Sequence, residues 1–342
     1  MWIERPAHSI SAVGLCFTSG AQPLNRTEPS IRLDVFLVLS MMGALNIKEC
    51  VMPKSRLLSR ASSVLFVAVV AIIAVVASAT PRYKADSPKT LRLYVFDCGV
   101  IQGMDVGRFN FKKEELAETR MAVPCYLVAH PKGTLMWDVG AIQDTAFKDD
   151  GAPVTQGNFY STKTLKSQLA EIGYAPADIT FFGLSHYHLD HIANSNEFAS
   201  ATWLVRQVER DAMFADKPPE RVDPKVYSDL KNSKTVIIKT DEYDVFGDGK
   251  VIMKAAPGHT PGHQVLVLKL AKTGNVMLAG DLYHYPEERT MERVPTFEFN
   301  KEQTLASRAM IEDYIKKTNT QLWIEHDFAA NAKLKKSPKY YE

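Results

Sequence analysis

Cysteine is scarce in this chain: four among 342 residues, with Cys16 and Cys50 in the first fifty positions. The other two, Cys98 and Cys125, lack the spacing of a metal site, so a thiolate centre is excluded. Whether they form a disulfide or stay as buried thiols is open. Runs of Lys or Arg are also missing, and the formal net charge is only +2, which argues against a nucleic-acid surface. No linker of Pro, Gly or Ser divides residues 85–342, which therefore read as one domain. The longest uncharged apolar stretch, Val64 to Ala77, falls short of the roughly 20 residues a membrane span needs.

That stretch has the form of a secretory signal. Lys54, Arg56 and Arg60 precede it, and Ala77-Ser78-Ala79 closes it with small residues. Residues 52–79 are thus expected to be a signal peptide cleaved after Ala79; the alternative is a retained N-terminal anchor, with 64–77 tethering the protein to the inner membrane. The expected location is periplasmic or secreted. Residues 1–51 show no sustained periodicity and read as an over-long start or a disordered extension.

From Leu91 the pattern is rich in strands. LRLYVFDCG, CYLVAH and GTLMWDVG are short β-type runs broken by turn residues. TKTLKSQLAEIGY (162–174) has helical spacing, DITFFGLSH reads as a buried strand, and TWLVRQVERDAMF passes from strand to helix. A second group of strands runs from TVIIKTD to NVMLAGD. Residues 301–317 then form a helix with apolar positions at Leu305, Met310, Ile311 and Ile315, and QLWIEHD adds a last strand. Two strand clusters, each followed by helix, predict an α/β fold of two packed sheets with helices outside.

Within FFGLSHYHLDHIAN, His186, His188, Asp190 and His191 fall in six positions directly after an apolar run. Residues two apart in an extended segment point the same way, so His186 and His188 can aim at one point. Asp190 and His191 come after a short step and can aim at a neighbouring one. Two foci suggest two metal ions, and each ion needs further donors. Three candidates end apolar strands: His259 in APGHTPGH, Asp281 in LAGDLYHY and His326 in LWIEHD. His263, in the same turn as His259, reads as a brace that hydrogen-bonds the turn.

The order H-x-H-x-D-H, G-H-T-P-G-H, a strand-end Asp and a late His resembles the metallo-β-lactamase superfamily. Within it, CYLV before MWDVG, APGHTPGHQ and the closing EHD with PKYYE are similar to the N-acyl homoserine lactonases. The resemblance spans roughly residues 90–342. It implies an αβ/βα sandwich of two mixed β-sheets flanked by helices. It further implies that His186, His188 and His259 bind one metal, that Asp190, His191 and His326 bind the other, and that Asp281 bridges them. Asp138 would orient a ligand imidazole. The donor set, all nitrogen and oxygen, suits two divalent ions, zinc first, with iron, cobalt or manganese also compatible.

Such a centre acidifies water and polarises a carbonyl. The implied reaction is opening of a lactone, with N-acyl homoserine lactones leading and Asp190 returning a proton to the leaving alkoxide. The resembled lactonases carry a tyrosine three residues after the bridging aspartate. Here Tyr283 is second, His284 third and Tyr285 fourth, so any of the three is a candidate to contact substrate. The alternatives are a thioesterase of the glyoxalase II kind, a β-lactamase, or a non-catalytic tethered binding protein. A small-molecule partner and a possible homodimer complete the expectations. If the signal is processed as read, intact-mass analysis of exported protein will give a chain beginning at Thr80; a mass that retains residues 52–79 would instead identify the anchor.

Overall fold

Alternating apolar residues decide the architecture. Successive side chains of a strand point to opposite faces, so a strand apolar at every position must be covered on both. MAVPCYLVAH is such a run, and every residue of it is buried. The computed structural model describes residues 85–148, 152–220 and 222–342. The segments 1–51 and 52–79 discussed above lie outside the described residues.

Fourteen strands are present among the described residues: β1 (Arg92–Ile101), β2 (Met121–His130), β3 (Gly133–Trp137), β4 (Val154–Gln156), β5 (Phe159–Ser161), β6 (Phe181–Gly183), β7 (Thr202–Arg206), β8 (Thr235–Ile238), β9 (Glu242–Asp244), β10 (Val251–Ala255), β11 (Gln264–Leu270), β12 (Gly274–Leu278), β13 (Gln321–Trp323) and β14 (Tyr340–Tyr341). The first sheet runs β4-β5-β1-β2-β3-β6-β7-β8, with β14 also paired to β1; the second runs β13-β12-β11-β10-β9. Both are mixed. β1 to β3 pair antiparallel and β3, β6, β7 and β8 parallel, while the second sheet is antiparallel except for β12 with β13.

Between the sheets, Leu93, Val95, Val128, Trp137 and Leu204 face Met253, Leu266, Leu268, Val276 and Leu278. The odd-and-even partners of these residues point outward. Phe96, Leu127, Phe182 and Trp203 pack with Leu165 and Leu169 of helix α1 (Leu165–Glu171), and Val265, Val267 and Met277 pack with Ile311. This is the expected α/β sandwich. Pro124 sits in β2 where it opposes Asp97, beside the irregularity of β1 between Asp97 and Val100, the kind of place a sheet tolerates proline. Cys98 and Cys125, on these neighbouring strands, are joined as a disulfide.

Two local expectations change. The helix expected over 162–174 is regular only over α1, capped by Thr164 accepting from the Ser167 amide. Ahead of it lies the β4–β5 hairpin, whose three-residue strands are too short to show a period. The long helix covers Lys301–Thr318, but Leu305 and Met310 are exposed while Thr304, Ser307, Arg308 and Ile311 are buried. The buried polar groups have tasks: Thr304 donates to Glu298, Ser307 to the Pro257 carbonyl and Arg308 to the Leu282 carbonyl. Leu266→Ala, between the sheets, is expected to cost about 3 kcal/mol in urea unfolding, whereas Leu305→Ala costs less than about 0.5 kcal/mol.

Candidate metal centre

Strand ends deliver the donors. His186 follows β6, and His188 is the last extended residue before a short helical turn, α2 (Leu189–Ile192), which carries Asp190 and His191. His259 lies in the turn between β10 and β11, Asp281 follows β12, and His326 follows β13. All seven side chains are buried. Gly258 and Gly280 let the chain pass close: a Cβ on Gly258 would stand 2.2 Å from the Thr304 amide nitrogen, and one on Gly280 2.7 Å from His263 Nε2. Both have positive φ, which glycine accepts freely.

Two nests of donor atoms result. In the first, His188 Nδ1 lies 2.9 Å from both His186 Nε2 and His259 Nε2, and Asp281 Oδ2 lies 3.5 and 3.2 Å from the latter two nitrogens. In the second, Asp281 Oδ1 is 3.2 Å from His191 Nε2 and 3.0 Å from His326 Nε2, and Asp190 Oδ2 is 3.4 and 3.3 Å from the same nitrogens. Asp281 thus offers one oxygen to each nest. Donors held about 2.1 Å from a common tetrahedral centre stand roughly 3.4 Å apart, so these spacings fit divalent metal ions. His191 Nε2 and Asp281 Oδ1 are, moreover, buried without a hydrogen-bond partner, which an ion between the donors would remedy.

The far edge of most of these rings is anchored. His191 Nδ1 meets Asp138 Oδ2 at 3.1 Å, and the other Asp138 oxygen accepts the Ser185 amide at 2.7 Å. His259 Nδ1 meets Glu298 at 2.9 Å, and His326 Nδ1 donates to the Ala122 carbonyl at 2.7 Å. Such partners fix ring orientation and leave the opposite nitrogen free to bind a cation. His263 donates from Nδ1 to the Ala256 carbonyl and accepts the Asp281 amide at Nε2. Burial first, then His259, pushes its pKa down to about 3, consistent with a neutral brace. Burial works to raise Asp281, but the imidazoles of His326, His191 and His284 outweigh it and hold the carboxyl well below its usual range.

The three candidates that follow Asp281, at positions 283 to 285, separate clearly. Tyr283 donates to Glu312 and lines a different cavity of about 820 Å³, one that contains none of the seven donors. Tyr285 donates to the Thr119 carbonyl and packs edge-on against Phe109. Their hydroxyls are committed elsewhere because the chain turns at 283–285 into helix α4 (Pro286–Thr290). His284 points inward, with Nε2 3.1 Å from Asp281 Oδ2. It shares with Asp190, Asp281 and His326 the floor of a pocket of about 280 Å³, whose walls include Ile101, Met104, Phe109, Met121 and Phe159, with Arg108 also lining it.

The metallo-beta-lactamase superfamily profile matches residues 119–314. The chain belongs to that superfamily. N-acyl homoserine lactonase AttM of Azorhizobium caulinodans is 27% identical over 267 residues, covering 74% of this chain and 99% of that protein. N-acyl homoserine lactonase AiiA of Bacillus thuringiensis subsp. kurstaki is 26% identical over 229 residues, 64% of this chain and 87% of that protein. Among solved structures, an N-acyl homoserine lactone hydrolase with N-hexanoyl-L-homoserine at its catalytic metal centre superposes with a TM-score of 0.60 at 23% identity, over 74% of this chain and 100% of that one. The dizinc quorum-quenching lactonase AidC gives 0.54 at 20% identity, over 77% and 98%. These structures share the superfamily sandwich, and membership with these relatives makes the chain a metal-dependent hydrolase.

Sequence reading missed the carboxylates that support the superfamily site. Glu209 opens helix α3 (Gln207–Met213), a position that normally reads as solvated, yet it is buried. It accepts from the Tyr187 amide at 3.0 Å, the Thr260 hydroxyl at 2.9 Å and the Gly262 amide at 2.7 Å, joining the 186–191 segment to the 257–263 turn. Burial pushes its pKa up to about 7 against the pull of those donors. Glu209→Ala, which strands three buried donors, should lower stability by about 3 kcal/mol. A raised folded pKa means that this group's contribution is complete below pH 4.5 and is lost as pH rises through about 7. In metal-stripped protein the urea midpoint should therefore fall across that window relative to Glu209→Gln; parallel profiles would show that Glu209 does not hold the proton.

Proposed function

We propose that this protein is a dinuclear metal-dependent lactonase acting on N-acyl homoserine lactones. The observation that carries the reading is the Asp281 carboxylate, each of whose oxygens faces a different set of imidazoles. His186, His188 and His259 would hold one divalent ion, Asp190, His191 and His326 the other, with Asp281 shared and zinc the first candidate. Bound there, the ions would supply Lewis acidity toward the scissile carbonyl and acidify water at neutral pH.

The chain's own groups do the rest. His284, the one residue of 283–285 on the pocket floor, presents Nε2 as donor to the carbonyl oxygen of the substrate. Asp190, on the same floor, takes up the proton released by the attacking water and returns it to the departing alkoxide. Ile101, Met104, Phe109, Met121 and Phe159 exclude water and take up an acyl chain, while Arg108 offers a cation to its polar end. Lactone rather than thioester or β-lactam chemistry is favoured by the relatives, lactonases at 26–27% identity. Export through residues 52–79 is part of the proposal, and the Cys98–Cys125 disulfide supports it, because such bonds persist in oxidising compartments.

A panel of short- and long-chain acyl homoserine lactones, S-lactoylglutathione and a cephalosporin tests the substrate. Turnover confined to the lactones is expected, and preference for either other compound would replace the reading. Purified protein should carry two transition-metal ions by elemental analysis, and His188→Ala should lower kcat by at least about 1000-fold with loss of metal. An unchanged rate in that variant would reject the site.

A further inference from the structure

We infer that Glu288 and Arg308 are positioning residues that hold the His284 ring in one orientation over the pocket floor, an inference that rests on the reading of His284 as the donor to the substrate carbonyl. Glu288 is fully buried on α4 and spends one oxygen on each of two partners. Oε1 lies 3.2 Å from His284 Nδ1, and Oε2 accepts from Arg308 Nη2 at 2.6 Å. Arg308, 6% exposed on the Lys301–Thr318 helix, uses its remaining nitrogens on main chain: Nε donates to the Leu282 carbonyl at 2.8 Å and Nη1 to the Arg293 carbonyl at 2.5 Å. Its guanidinium also covers the Tyr283 ring at 4.4 Å. One side chain therefore clamps the main chain between Asp281 and His284 and, through Glu288, the ring of His284 itself.

An imidazole can rotate about its Cβ–Cγ bond, and a half-turn would move the donating nitrogen off the pocket. Glu288 Oε1 holds the Nδ1 edge of the ring on the side away from the pocket. The edge bearing Nε2 is thereby directed at the pocket, with Phe109 edge-on at 5.0 Å and His326 stacked at 5.8 Å leaving little room to tilt. A tyrosine at this place would need no such anchor, since its hydroxyl lies on the ring axis.

The test uses metal-loaded full-length enzyme and a short-chain acyl homoserine lactone. Glu288→Gln should lower kcat by about tenfold to a hundredfold with KM and metal content unchanged, the scale of a misplaced catalytic group. In a His284→Ala background the same substitution should change kcat by less than about twofold, because the group it orients is gone. Nitrogen NMR of the His284 ring should show an Nδ1 signal set by the Glu288 carboxylate in the wild type that shifts in Glu288→Gln. Equal losses in both backgrounds, or a wild-type rate and ring spectrum in Glu288→Gln, would overturn the inference while leaving the donor reading intact. A wild-type kcat in His284→Ala would remove the donor reading and the inference with it. Should Glu288→Gln fail to fold, Arg308→Lys keeps the charge but loses the fork to main chain, and the same outcomes apply.

Discussion

A carboxylate taken out of water must be met by positive charge or hydrogen bonds, or it will not stay ionised. Asp281 is met on both oxygens by imidazoles, and much of the surrounding structure serves to hold those rings. The five histidines around it arrive from four separate stretches of chain, and each would rather be solvated than crowded against its neighbours. Packing alone does not reconcile them. Cations shared among the donors would, by turning mutual repulsion into common coordination.

The supporting shell follows the same rule one step out. Asp138, Glu298 and Glu288 each face the Nδ1 edge of a different imidazole, while Glu209 ties together the loops that carry the rings. Four buried carboxylates are costly for a domain of this size unless each has work to do. Their partners account for them: none lies idle in the interior. The sheets supply rigidity beneath, since the strand ends that carry Asp138, Asp281 and His326 continue into main-chain ladders whose side chains fill the inter-sheet core.

Much of this was legible in the sequence because it obeyed period or spacing. The short apolar runs of β1, β3, β11 and β12, bounded by turn residues, named the strands, and H-x-H-x-D-H with its three distant partners named the donors. What was hidden has physical reasons. The three-residue strands of the β4–β5 hairpin carry too little pattern to register. The Lys301–Thr318 helix buries Thr304, Ser307 and Arg308 where its first half meets loops, while Ile311 further along reaches the core, so Leu305 and Met310 misled. Glu209, Glu288 and Glu298 look like surface glutamates, and only the tertiary fold reveals what they face. The sequence could not choose among Tyr283, His284 and Tyr285, because the turn into α4 decides which one looks inward.

The order in which the donors occur along the chain carries one more consequence. His326 follows β13, which pairs with β12, and its ring hydrogen-bonds the carbonyl of Ala122, 204 residues earlier. The second nest is therefore incomplete until β13 has docked beside β12. A partly synthesised chain lacks His326 and holds only part of the second donor set. An ion there would bind only after the C-terminal strand has docked, so its uptake would report completed folding.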